Sequence, residues 1–286
     1  MNRAARVVGL LIVLGIAAIG AGLAEEAAAP SKPEGIVVKT IVQPNELREY
    51  KVVADLKGNV PNPEGGDLVP IDAQFSFKLK HKYIAGTGEG LMPLEISLTE
   101  GAVTADGQKL QVTPELYPKL TVLVDKDWRI RDIYGLSGAR IAQALPGINY
   151  GNMIVLFFLP DGAAPHAVGD KWESVVSIPN YGESYAISNT LKAVETIEGM
   201  KCAVIRQEIK RSKLDRAAAA GPAMKATAES AFTLEGGRLV RSRVECEVNF
   251  ELEKATTDSA AKKSSPNKQD HTPQRANIKI DISPAK

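Results

Sequence analysis

The chain has 286 residues, 44% of them hydrophobic and 24% charged, and its 35 Lys and Arg against 34 Asp and Glu leave a net charge of +1. That length and composition support a sizeable core. The near-neutral balance excludes a global field that would steer the protein to nucleic acid or an anionic membrane, and no aromatic-plus-basic surface of the kind that binds single strands is present.

The N-terminus carries an address. Arg3 and Arg6 precede an uncharged apolar run from Val7 to Leu23, and Gly22-Leu23-Ala24 is followed by Glu25-Glu26. This reads as a secretory signal peptide over 1–24, cut after Ala24. The expectation is an exported protein, periplasmic or extracellular, that meets a membrane only transiently or through this segment if it stays uncleaved. No Cys follows the apolar run directly, so lipidation there has no acceptor. Residues 25–36 are rich in Ala, Pro, Lys and Glu and read as a flexible leader.

From residue 37 onward the pattern is that of strands. Glu46 to Lys57 alternates Tyr50, Val52, Ala54 and Leu56 against Lys51, Asp55 and Lys57. The loop GNVPNPEGGD follows. Ile71 to Tyr83 is the clearest strand: Ile71, Ala73, Phe75, Phe77, Leu79 and Tyr83 share one face, and Asp72, Gln74, Ser76, Lys78, Lys80 and Lys82 the other. One dry and one wet face belong to an antiparallel sheet, and such length favours a large curved one. AGTGEG at 85–90 has a G-x-G spacing but is followed by another alternating run (Leu94, Ile96, Leu98), so it reads as a turn rather than a nucleotide loop. Asp106-Gly107 marks a turn before Lys109 to Val112, and Thr121 to Val124 with Trp128 to Tyr134 forms a hairpin.

The stretch 137–160, SGARIAQALPGINYGNMIVLFFLP, is the most apolar run outside the N-terminus. Ser137 suits an N-cap, with a helix from Ala139 to Leu145 stopped by Pro146. Asn149 suits a second cap, with a helix from Tyr150 to Leu159 stopped by Pro160. NMIVLFFL is also compatible with a buried strand; helix is the expectation.

Strands then resume at Glu183 to Thr196, Lys201 to Lys210, Met224 to Leu234 and Arg238 to Leu252. Residues 254–275 are polar and aperiodic and read as a disordered loop. Residues 276–283 alternate again and read as a closing strand of the same 37–253 domain. The two cysteines, Cys202 and Cys246, sit in an exported chain, where a disulfide is permitted; whether they meet stays open.

The motifs of several chemistries are missing. His81, His166 and His271 have no metal-ligand spacing, no G-x-S-x-G elbow exists, and the carboxylates lie on wet faces beside Lys and Arg. The expectation is a non-enzymatic protein with no cofactor, no metal and no catalytic residues. His81 falls on a dry face, as a packed sheet histidine or a ligand-facing one. Trp128 and Trp172 each adjoin a turn and read as core anchors.

Val168-Gly169-Asp170-Lys171-Trp172, the strand from Tyr185 to Thr196 and GMKCAVI from Gly199 to Ile205 resemble a group of exported bacterial β-rich proteins of uncharacterised function. Their strand pattern is similar to the lipoprotein-carrier (LolA/LppX-like) half-barrel superfamily. The resemblance implies a curved antiparallel sheet or incomplete barrel whose concave apolar side is plugged by helices. The expected fold is therefore mainly β (α+β), a large curved antiparallel sheet or incomplete β-barrel with a short helical insert packed on its concave side. The expected ligand is a lipid or acyl chain lined by Phe75, Phe77, Leu145, Met153 and Phe157. A structural or protein-interaction module with a filled core is the alternative.

Overall fold

The computed structural model describes residues 35–61, 68–86, 90–113, 119–135, 154–159, 164–178, 183–213, 223–249 and 275–285. Twelve strands run through them: β1 (Leu47–Pro61), β2 (Leu68–Tyr83), β3 (Met92–Ala105), β4 (Gln108–Gln111), β5 (Leu120–Val124), β6 (Ile130–Tyr134), β7 (Lys171–Ile178), β8 (Glu183–Ile197), β9 (Met200–Lys213), β10 (Ala223–Thr233), β11 (Leu239–Asn249) and β12 (Arg275–Pro284). They form one sheet in the order β6-β5-β3-β2-β1-β12-β11-β10-β9-β8-β7, with β4 added beside β3. The two end strands, β6 and β7, come close to one another, so the sheet is a nearly closed antiparallel barrel.

The order has a simple logic. The first six strands meander one way from β1 and the last six meander the other way from β12. The antiparallel pairing of β1 with β12 joins the halves, with Val52 opposite Ile282, Ala54 opposite Ile280 and Leu56 opposite Ile278. Period-2 patterning drives this assembly, because each strand has one apolar face to bury. The pattern is clearest in β2, β11 and β12, where buried and exposed residues alternate. Register shifts between Lys78 and Leu79, Leu123 and Val124, Leu191 and Ala193, and Ala231 and Phe232 insert bulges. Bulges increase local twist and bend a sheet toward closure.

The helical insert on the concave side is a correction. The described residues are all-β and contain no helix. Of the expected helix over 150–159, residues 154–159 make a single turn, with the Phe157 amide donating to the Ile154 carbonyl at 3.1 Å, and then extend. The expected helix over 139–145 lies outside the described residues. Asn149 as a cap and Pro160 as a stop favour a helix, but six apolar side chains packed on all sides have no wet face for a helical period to reveal.

Candidate functional site

The inner face of the barrel carries the core. Nearly every inward residue of β1, β2, β12 and β11 is buried, in one continuous cluster that includes 154–159. Ile154, Val155, Leu156, Phe157, Phe158 and Leu159 are all 6% exposed or less. Phe157 meets Tyr50 at 5.1 Å and His81 at 4.7 Å between ring centroids, and Tyr50 meets His81 at 4.9 Å, so the three rings form a triangle. Phe158 stacks on Trp128 at 5.4 Å. Residues 154–159 thus occupy the inside of the barrel without being a strand of it.

One end of the barrel is closed by a strap, residues 35–46. It is fastened at successive points by backbone and side-chain hydrogen bonds. The Ile36 amide donates to the His166 carbonyl at 2.7 Å and the His166 amide returns the bond at 2.9 Å. The Ile41 amide donates to Gly236, and the indole Nε1 of Trp128 donates to the Thr40 carbonyl at 3.0 Å. The Asn45 amide donates to the Tyr83 carbonyl at 2.7 Å. Val38 and Thr40 turn inward and are buried, while Val37 and Ile41 face out. Gly237 must be glycine here: its φ is +55° and a Cβ would lie 2.7 Å from the Thr40 nitrogen.

Arg48 seals this end from inside. It is buried, donates from Nε to Glu46 at 2.7 Å and from a terminal nitrogen to the Ile41 carbonyl at 2.9 Å, and lies over the Tyr83 ring. Burial alone would raise the Glu46 carboxyl, but the bonds from Arg48 and the Gln43 amide, with the charges of Arg48 and Arg238, carry it below its ordinary value. A buried guanidinium with a bonded carboxylate costs far less than either ion alone.

His81 is the exception in the apolar wall. It is fully buried, and neither ring nitrogen has a hydrogen-bond partner. Burial, and then the positive charge of Arg48, pushes its pKa down from 6.5 to about 3. The ring is therefore neutral in the folded state at neutral pH. An unfolded chain takes up a proton on this histidine below about 6.5 and the folded one does not until about 3. Stability from His81 is thus fully present above that window and lost as pH falls through it, by about 1 kcal/mol or slightly more per pH unit. His81→Leu is expected to flatten the pH dependence of urea-unfolding free energy between pH 6 and 4 relative to the parent. An unchanged slope would mean that His81 is not held neutral.

The other half of the inner face carries a feature that the sequence reading missed. Ser174, Asn189, Gln207, Ser230 and Ser242, on the five neighbouring strands β7 to β11, are all buried. They bond in series. The Asn189 amide nitrogen donates to Ser174 Oγ at 3.2 Å, and that of Gln207 to Asn189 Oδ1 at 3.2 Å. The Ser230 hydroxyl donates to Gln207 Oε1 at 3.0 Å, and Ser230 and Ser242 lie 2.9 Å apart. Each shares inward parity with core residues: Gln207 with Ile205 and Ile209, Asn189 with Ile187 and Leu191, Ser242 with Val244 and Cys246. The signal was present as a single polar letter at a dry position in each strand.

Of the residues expected to line a ligand, Phe75 and Phe77 are inward on β2, buried, with ring centroids 6.1 Å apart, and Phe157 sits in the aromatic triangle. Leu145 and Met153 lie outside the described residues. Both cysteines are free and buried. Cys246 belongs to the inner core and Cys202 to a separate cluster with Val204, Ala231 and Val240 on the other face of the sheet. Burial pushes the Cys246 thiol up to about 12, so it is a packed side chain rather than a nucleophile. Trp172 stacks on His166 at 3.9 Å. Among the described residues no group of three His, Cys, Asp or Glu could hold a metal ion.

No known family model matches the chain, and no curated protein matches its sequence. Among solved structures, one described as lipid–protein interactions in lipovitellin is similar over 85% of this chain and 25% of that one, with a TM-score of 0.48 and 10% identity. The chain therefore spans about a quarter of the length of that protein. A likeness at this level carries no argument about ligand or family, and none of the comparisons shows the lipoprotein-carrier superfamily.

Proposed function

We propose that this is an exported, non-enzymatic protein that binds a lipid or another apolar ligand inside the barrel. The observation that carries the reading is the position of 154–159, six buried apolar residues inside a sheet path of eleven strands to which they do not belong. About eight strands enclose an interior that wall side chains just fill, and wider barrels leave room for an occupant. Here part of that room is held by a segment of the chain tied to the sheet by side-chain packing. An apolar molecule competes with it on equal chemical terms.

The alternative is an interaction module with a filled core, and the interlocked rings of Phe157, Tyr50 and His81 favour it. Phe157→Ala separates the two. If the segment is a displaceable occupant, the variant takes up a fluorescent acyl-chain probe more tightly than the parent, at one site per chain. If the core is filled for good, Phe157→Ala only lowers stability, and neither protein shows saturable uptake.

A further inference from the structure

Register resolves the inner face into rows that cross the sheet. One row runs Phe75, Ala54, Ile280, Val244, Ala228, Gln207, Asn189 and Trp172. The next runs Phe77, Val52, Ile282, Ser242, Ser230 and Ile205. Asn189, Gln207, Ser230 and Ser242 of the polar belt therefore lie on the same two register rows as the two phenylalanines, on different stretches of them. The lining is amphipathic around its circumference, apolar from β12 through β2 and hydrogen-bonding from β11 to β7.

The belt is also uncharged. Among the described residues no Lys, Asp or Glu has inward parity on these rows, and the inward arginines, Arg48 and Arg211, stand at opposite ends of the barrel. His81, inward on β2, is neutral and has two nitrogens without partners. A core that only had to be filled would gain nothing from these side chains, since apolar groups of the same shape serve as well or better. The Asn189 amide nitrogen is spent on Ser174 and on the Trp172 and Ile187 carbonyls, but Gln207 keeps capacity beyond its bonds to Asn189 and Ser230, because an amide carries two N–H donors and two acceptor lone pairs.

We infer that the molecule held in the barrel is an uncharged amphiphile, an apolar body with a hydroxyl, ester or amide group that the belt of Asn189, Gln207, Ser230 and Ser242 takes up. This rests on the interior being a binding site. A pure hydrocarbon leaves the belt's spare donors and acceptors unused. A carboxylate would meet two rows that carry no inward cation among the described residues and would lose its hydration without compensation.

The test uses the full chain, stripped of bound lipid, at pH 8. 1-Monolaurin, laurate and dodecane compete against a fluorescent acyl probe. Monolaurin is expected to bind about tenfold more tightly than either of the others, the scale of one well-made hydrogen bond. In Gln207→Met with Ser230→Ala, the preference over dodecane is expected to collapse while dodecane binding is kept. Laurate or dodecane equal to monolaurin in the parent protein overturns the inference and leaves the binding site standing. So does a preference that survives the double substitution. If none of the three competes and the probe itself does not bind, the binding site falls, and the inference with it. The parent's ranking decides the matter even if the double variant does not fold.

Discussion

Trp128→Ala is expected to lower unfolding free energy by about 3–5 kcal/mol, the range for truncating a large buried aromatic. One side chain there holds three parts of the molecule. Its indole stacks on Phe158 of the inner segment, meets the Tyr83 ring of β2 edge-on at 6.0 Å and donates to the Thr40 carbonyl of the strap. It does so from a left-handed backbone, φ +61°, at the end of a turn that Asp125 organises by accepting from the Asp127 and Arg129 amides. A β-carbon at positive φ costs roughly 1–2 kcal/mol, so packing is overriding backbone preference. Trp128→Gly should therefore be at least as stable as Trp128→Ala in urea titrations, although glycine is the smaller residue. A glycine variant clearly less stable than the alanine one would show that the turn does not keep this conformation.

Gly58→Ala is expected to be as damaging for a different reason. Gly58 has φ +137°, and a Cβ there would lie 2.4 Å from the Arg275 carbonyl oxygen and 2.7 Å from the Ala276 Cα. Both obstacles are backbone, so β1 and β12 would have to separate at that row, and their pairing is what joins the two halves of the barrel. Backbone of this kind is close to glycine-only and costs about 1–3 kcal/mol before any clash. A total loss of at least about 3 kcal/mol follows, with faster amide exchange at 54–58 and 276–280. A loss under about 1 kcal/mol would mean that the two strands are not held at this register.

These effects also mark where sequence was informative. The faces of β2 were readable because thirteen residues from Ile71 to Tyr83 alternate with little interruption, and Phe75 and Phe77 fell on the inner side as read. In β9 alternation misled. Cys202 and Val204 are apolar because they pack on an outer-face cluster with Ala231 and Val240, while Gln207 is polar and inward. Apolar no longer means inside there, so the face of Cys202 could not be assigned. The belt was hidden for the same reason, since each member looks like one defect in its own strand and only the register aligns them. The composition of 25–36 reads as a flexible leader, and of it residues 35 and 36 are described; Ile36 bridges to His166 and begins the alternation of Ile36, Val38, Thr40 and Val42. Residues 154–159 misled because an apolar run carries no period when every side chain is covered.

Native mass spectrometry of the full chain, stripped of lipid and then exposed to envelope lipids, shows whether the barrel holds an apolar molecule. One apolar molecule is expected to be retained per chain, with loss of that adduct when Phe75 and Phe77 of the wall are both replaced by serine in a chain that still folds. A protein that stays free of adducts across the lipid classes, with its unfolding temperature unmoved by any of them, would contradict this expectation and leave the barrel as a filled structural core.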